Sequence, residues 1–176
     1  MALRAWAEED VPALVRACSD ELVARFTSVP APYTPEDART FVAAGRSDSA
    51  LPLAVVQDGE PEQVLGAVGL HAVDFAGGRS EIGYWTAPWA RRQRVASRGL
   101  VLLSEWALRA LCLDRLELYA EPSNRASQLV AEQAGYRRGE LVRGGITLRG
   151  RRRDVVRFVL AASDLPPVPG GGAQPA

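Results

Sequence analysis

Glu81-Ile82-Gly83-Tyr84-Trp85-Thr86-Ala87-Pro88-Trp89-Ala90-Arg91-Arg92-Gln93-Arg94-Val95-Ala96-Ser97 reads as an apolar strand, a Pro-broken turn, a cluster of three arginines and the first turn of a helix. The start of a helix carries backbone N–H groups with no carbonyl one turn back, and the positive end of the helix dipole, so it attracts an anion. Arginines at that point add charge and forked donors suited to phosphate. The segment therefore predicts a seat for a phosphorylated ligand between a strand over Arg79–Thr86 and a helix from about 95 to 111. Leu100, Leu103, Trp106 or Ala107, and Ala110 or Leu111 fall on one face of that helix.

Before this segment the chain opens with a short strand over Ala2–Trp6. A helix follows, entered at Glu8-Glu9-Asp10, in which Val11, Leu14, Val15, Cys18 and Leu22 recur at helical spacing. Thr34-Pro35-Glu36-Asp37 supplies an N-cap with proline at the first helical position, and the second helix runs to about Ala44. Leu51–Gln57, Val64–Val73 and Arg79–Thr86, joined by Asp58-Gly59 and Gly77-Gly78 turns, predict an antiparallel meander. After the long helix comes a strand over Arg115–Ala120. A strand, a helix and a strand in succession imply a parallel crossover. A helix over Ser123–Gln133 stops at Gly135, and two strands follow at about 136–142 and 153–160. Residues 1–163 form one domain, and the Pro- and Gly-rich tail 164–176 lacks apolar periodicity, so disorder is expected there.

Composition narrows the function. The chain has 176 residues, 47% hydrophobic and 24% charged, with a net charge of zero, the profile of an ordinary soluble domain. A neutral chain with no apolar run of about 18 residues argues against nucleic acid as partner and against a membrane. All 21 basic side chains are arginine, so Schiff-base chemistry on a lysine is excluded. Cys18 and Cys112 lie in helix-like apolar patterns and read as buried thiols in a reducing, cytoplasmic setting. No His, Cys and carboxylate set has metal-ligand spacing, so no metal is expected.

Three segments together are similar to one family. Glu81-Ile82-Gly83-Tyr84-Trp85 with its arginine loop, Asn124-Arg125-Ala126-Ser127 after a strand, and Ala134-Gly135-Tyr136 resemble the GNAT N-acetyltransferase superfamily, in its RimJ/RimL-like branch. That resemblance implies an α/β (α+β mixed sheet) GNAT-type fold, with about six or seven strands flanked by about four helices. It also implies acetyl-CoA as co-substrate, lodged where the parallel strands Arg79–Thr86 and Arg115–Ala120 splay apart. The reaction it implies is transfer of an acetyl group to a primary amine, by direct attack with general-base help. The amine would belong to a protein N-terminus or a small molecule, and the enzyme would be a monomer or homodimer.

By the same resemblance, backbone groups of Trp85, Thr86 and Ala87 would flank the pantetheine arm. The pyrophosphate would rest on Arg91, Arg92, Gln93, Arg94, Val95, Ala96 and Ser97, with Asn124 and Ser127 completing the cofactor site. The family's loop reads Arg/Gln-x-x-Gly-x-Gly/Ala, and Arg94 occupies its central glycine while Arg92 occupies another position commonly glycine. Helical dihedrals at a helix start suit arginine at position 94. Its side chain either points outward and adds a cation or folds across the loop and obstructs it, and in the second case the chain is a degenerate module that binds without catalysis. Glu81 is the candidate base. Ser127 is the candidate proton donor to the departing thiolate, with Tyr119 in reserve; Glu117 shares a strand face with Tyr119. His71, the single histidine, sits on a strand beside Leu70; a catalytic role is open to it, with an ordinary strand residue the favoured reading.

Overall fold

The computed structural model describes residues 1–167. Seven strands form one sheet in the order β1-β2-β3-β4-β5-β7-β6. They are β1 (Ala2–Arg4), β2 (Leu51–Gln57), β3 (Glu60–Asp74), β4 (Arg79–Thr86), β5 (Arg115–Ala120), β6 (Arg137–Leu148) and β7 (Arg151–Ala161). Five α-helices accompany them: α1 (Val11–Cys18), α2 (Glu21–Phe26), α3 (Pro35–Ala44), α4 (Val95–Ala110) and α5 (Arg125–Gln133). β1 to β4 are antiparallel neighbours, β4 and β5 are parallel, and β7 inserts antiparallel between β5 and β6.

The fifth helix arises where one continuous helix was expected. Ser19 Oγ donates back to the Val15 carbonyl at 2.7 Å, and Asp20 then turns extended (φ −69°, ψ 136°). Asp20 Oδ1 accepts the N–H groups of Leu22 and Val23, so it starts α2 as its N-cap. α3 begins as its sequence dictates: Thr34 Oγ1 accepts the Asp37 N–H at 3.2 Å and Asp37 Oδ2 accepts the Thr34 N–H at 2.8 Å, a reciprocal capping box. α5 starts two residues later than expected, at Arg125, with Asn124 as N-cap. It ends in a Schellman closure, in which Gly135 (φ +88°) and Tyr136 donate to the carbonyls of Glu132 and Ala131.

The sheet is covered on both faces. One face packs α4 and α5 over Leu70, Ile82, Leu116, Leu118 and Phe158. Tyr136 is buried there, its hydroxyl 2.7 Å from Ser104 Oγ on α4, which gives the Ala134-Gly135-Tyr136 motif a structural role. The other face packs α1 and α3 over Ala54, Val56, Val64 and Ala67, with Trp6, Leu14 and Cys18 in its core. Cys18 is buried as expected, and burial pushes its thiol up to about 12. Cys112 is not buried: it stands exposed at φ +54° just beyond α4, where the chain must reverse into β5. Asp164 and Pro166, at the start of the tail, are held by Arg137 (3.3 Å) and Arg109 (2.7 Å). From residue 168 onward the tail expected to be disordered lies outside the described residues. Among the described residues no helix is long and apolar enough to cross a membrane.

Candidate active site

β4 and β5 pair over three positions only, Arg79 with Arg115, Ser80 with Leu116 and Glu81 with Glu117. β4 then stays with β3 as far as Thr86, while β5 stays with β7 as far as Ala120. The two strands therefore part into a cleft, as the resemblance implied, and its floor is their last shared pair. Trp85, Thr86 and Ala87 lie at the open end of β4, where the Ala87 N–H is already given to the Leu65 carbonyl at 2.9 Å.

Tyr84 bridges the mouth of this cleft. Its hydroxyl donates to the Ser127 carbonyl at 3.1 Å and lies 2.9 Å from Ser127 Oγ. A phenol has one proton, so with that proton on the carbonyl it accepts from the Ser127 hydroxyl. Burial pushes Tyr84 up to about 12, outweighing the opposing effect of the Ser127 bond, so it remains a protonated donor at neutral pH. Asn124 Oδ1 accepts the Ser127 N–H at 3.1 Å. Asn124 thus caps α5 and also fixes the backbone of the serine that faces Tyr84.

The arginine loop sits at the start of α4. The first helical bond there runs from the Arg98 N–H to the Arg94 carbonyl, so the N–H groups of Val95, Ala96 and Ser97 have no carbonyl one turn back. Arg94 does not take the helical dihedrals expected of it. It adopts φ +58°, ψ 22°, and Arg92 adopts φ +62°, so both stand in the left-handed region that glycine enters freely. The loop has kept a glycine-type backbone while carrying arginine side chains. Both side chains are exposed, and among the described residues neither has a hydrogen-bond or ion-pair partner, so neither fills the loop. Arg91 is engaged: its guanidinium donates to Asp20 Oδ1, the N-cap of α2. Burial raises the Asp20 carboxyl, but Arg91 and the two N–H donors outweigh it and hold it below the usual carboxylate range. Trp89, one turn earlier, is fixed by its Nε1 donating to the Val64 carbonyl at 2.9 Å and by Arg16 stacked 3.6 Å from its ring centroid.

On the α1–α3 face of the cleft floor the strands bring together residues that no local pattern joins. Cross-strand pairing sets His71 opposite Glu81, Gly69 opposite Gly83 and Ala67 opposite Trp85. These pairs share one face, because Trp85 stacks on Trp6 of that face (centroids 6.1 Å apart). With no side chains at Gly69 and Gly83, the His71 ring lies back over them. A Cβ on Gly83 would fall 3.4 Å from His71 Nε2. Burial lowers the His71 pKa more than the Glu81 charge raises it, so the imidazole is neutral at neutral pH. Glu117 and Tyr119 lie on the same face of β5, as their alternation required. The Tyr119 hydroxyl donates to Glu117 Oε2 at 2.7 Å and Arg115 Nε donates to Oε1 at 3.1 Å. Burial, then Glu117, push Tyr119 up to about 12. Burial raises Glu117, but its donors and the Arg157 charge hold it below its ordinary value.

Glu81 and Tyr119 therefore line one side of the cleft floor, and Ser127 and Asn124 stand across its mouth. His71 and Tyr84 are the two side chains whose place was not foreseen. Tyr84 lay within the quoted motif but faces α5, which the strand pattern alone does not reveal. His71 was hidden by a bulge. Between His71 and Asp74 the β3 strand holds one residue more than β4, with Ala72 at φ +47°, so counting back from the turn misplaces its partner.

Two measurements follow from this geometry. Tyr84→Phe and Ser127→Ala should each cost about 1 kcal/mol in denaturant unfolding. The double variant should cost clearly less than the two together, because both remove the hydroxyl–hydroxyl contact; strict additivity would mean that this contact contributes nothing, the bond to the Ser127 carbonyl being lost in Tyr84→Phe alone. Separately, Arg94→Gly should be more stable than Arg94→Ala by about 1 kcal/mol, the left-handed backbone being strained only in the latter. Equal midpoints would remove strain from the account of this loop.

The comparisons agree with this architecture. An acetyltransferase (GNAT) domain family model matches residues 1–137. YdaF of Bacillus subtilis (strain 168), provisionally named a ribosomal N-acetyltransferase, is 28% identical over 97 residues, 55% of this chain. The chain spans about half the length of that relative, 53% of it. Among solved structures, Mycobacterium smegmatis RimJ in complex with CoA-disulfide superposes with a TM-score of 0.83 at 21% identity, over 94% of this chain and 83% of that one. RimL, described as a ribosomal L7/L12 alpha-N-protein acetyltransferase in complex with coenzyme A, gives 0.78 at 22%, over 90% and 92%. With the family model spanning most of the chain and the cleft between β4 and β5 in place, the chain belongs to the GNAT acetyltransferase family.

Proposed function

We propose that this protein transfers an acetyl group from acetyl-CoA to a primary amine, and that the amine is the N-terminus of a polypeptide. The observation that carries the reading is the cleft. Two parallel strands part after three paired positions, and the loops that leave their open ends lead to the N-termini of α4 and α5. An unpaired strand edge offers backbone donors and acceptors, and a helix start with two uncompensated arginines offers an anion seat. The residues present thus suit a ligand with amides at one end and phosphates at the other. Val95, Ala96 and Ser97 with Arg92 and Arg94 would hold its phosphates, and Trp85, Thr86, Ala87 and Asn124 its amide arm. Acetyl-CoA supplies an activated thioester carbonyl. A polypeptide acceptor is favoured by the sequence relation to YdaF.

The chain's own residues then manage protons. A protonated amine has no lone pair, so a base must take its proton, directly or through water. In this reading His71 takes it, because its imidazole is neutral, is reachable over Gly83 and stands beside Glu81, whose charge favours the imidazolium once formed. Glu81, the base expected from the sequence, becomes the partner that stabilises the charged product of that transfer. At the opposite side Ser127, paired with Tyr84, is the proton donor nearest the mouth of the cleft, and Tyr119 remains tied to Glu117.

Titrating acetyl-CoA by calorimetry tests the first half; absence of binding at millimolar concentration sinks the transferase reading. The pH–rate profile tests the second, with one acceptor throughout so that the amine's own ionisation is common to all variants. The rate should rise with pH through an apparent pKa below the ~6.5 of a free histidine. Glu81→Gln removes the charge that favours the imidazolium, so this limb should move to lower pH, whereas His71→Gln should abolish it. A limb lost in Glu81→Gln and kept in His71→Gln would return the base to Glu81.

A further inference from the structure

We propose that the tip of the β6–β7 hairpin is a docking surface for an acidic stretch in the polypeptide whose amine is acetylated; this rests on the acetyl-transfer reading above. Charge is unevenly distributed along the chain. Residues 137–161 hold eight arginines against two carboxylates, so the rest of this neutral chain carries a net of six negative charges. At the base of the hairpin the arginines are matched: Arg137 by Asp164, Arg157 by Glu140 at 2.8 Å, and Arg138 by Gln128 and Glu132. At the tip they are not. Among the described residues Arg143, Arg149, Arg151, Arg152 and Arg153 have no carboxylate partner. Asp154, the acid nearest them in sequence, accepts the Gly144 N–H on Oδ1 at 2.7 Å.

The tip is also held in place without being neutralised. Arg152 donates Nε and Nη2 to the Gly144 carbonyl at 3.0 and 2.9 Å, and Arg149 donates to the carbonyls of Ala24 and Val29, at and just beyond the end of α2. All four bonds end on neutral acceptors, so the positive charge stays available. Because α2 follows α1 on the face that also carries Glu81 and His71, the hairpin reaches over from the far edge of the sheet toward the acceptor side. Arg157 of β7 pairs in register with Tyr119, so the strand that leads from the tip runs beside the cleft. A polypeptide with its amine near His71 could lay its following residues along this strip.

Nucleic acid is the less fitting polyanion. Residues 137–157 contain no aromatic side chain on which a base could stack, and nucleic acid offers no aliphatic amine to acetylate. An acidic polypeptide satisfies both ends.

The probes are two synthetic peptides with the same first three residues and free α-amine, one followed by a Glu/Asp-rich stretch and one by Ser/Gln. Release of CoA thiol gives kcat/KM for each, and fluorescence anisotropy gives their binding without cofactor. The acidic peptide should be preferred about tenfold at low ionic strength, the preference shrinking toward unity near about 0.5 M salt. In an Arg151→Glu/Arg153→Glu double variant the preference should invert, and Arg151→Gln/Arg153→Gln should be intermediate, each checked for an unchanged thermal midpoint. Equal use and equal binding of the two peptides overturn the proposal, as does tighter binding of a single-stranded RNA of the same charge. Acidic-peptide binding that is lost in the Glu variant while no peptide is acetylated supports the surface and sinks only the transferase reading.

Discussion

Everything functional in this chain depends on how short the parallel pairing is between β4 and β5. Three shared positions hold the sheet together at its centre, and beyond Glu81 and Glu117 each strand answers only to its outer neighbour. Buried backbone polar groups normally find partners, so a parting in the middle of a sheet is tolerated where water or a ligand completes the bonding. Tyr84 keeps the parting at a fixed width. Its hydroxyl reaches from β4 to Ser127 on α5, and its burial keeps the proton that makes this bond. The cleft is therefore held by the sheet at its floor and by one side-chain bridge at its mouth.

A second constraint ties the two sides of the cleft together through α2. Arg91, from the loop before α4, binds the N-cap of α2, and Arg149, from the hairpin tip, binds carbonyls at and beyond its C-terminal end. One six-residue helix thus joins the anion seat to the hairpin. In the proposed reading an anion at the start of α4 would compete with Asp20 for Arg91, so its binding would bear on the support of α2. In the proposed reading this makes the acceptor side sensitive to the cofactor side through a contact, with no need for a wider rearrangement.

Much of this was legible because local chemistry and tertiary fold agree. The strands Leu51–Gln57, Arg79–Thr86 and Arg115–Ala120 fall where their patterns put them, and Thr34-Pro35-Glu36-Asp37 opens a helix by a box readable in four letters. The parting of the strands came from the family resemblance, and the residues at its rim were named with it. What escaped was set by side chains acting at a distance or by backbone choice. Ser19 and Asp20 ended one helix and began another inside a continuous apolar pattern. The bulge at Ala72 moved His71 into register with Glu81, and no period-2 count crosses a bulge. Cys112 sat in an apolar pattern but at a reversal, where φ rather than hydropathy decides the environment.

The left-handed arginines join these threads. Among the described residues five non-glycine positions have positive φ, and three of them are arginines: Arg92, Arg94 and Arg149. Each left-handed side chain costs about 1 kcal/mol or more relative to glycine, so such positions persist where the surrounding structure over-determines them, most often at functional sites. Arg149 has a visible compensation in its bonds to the carbonyls of Ala24 and Val29. Arg92 and Arg94 have no partner among the described residues, and they flank a helix start that favours anions. Substituting arginine for glycine there keeps the backbone path that lets N–H groups approach phosphate, and it adds two cations to the rim. The loop that departs from its family's sequence pattern thus takes a backbone that glycine enters freely. In the proposed reading, the partner that compensates this strain is the bound phosphate.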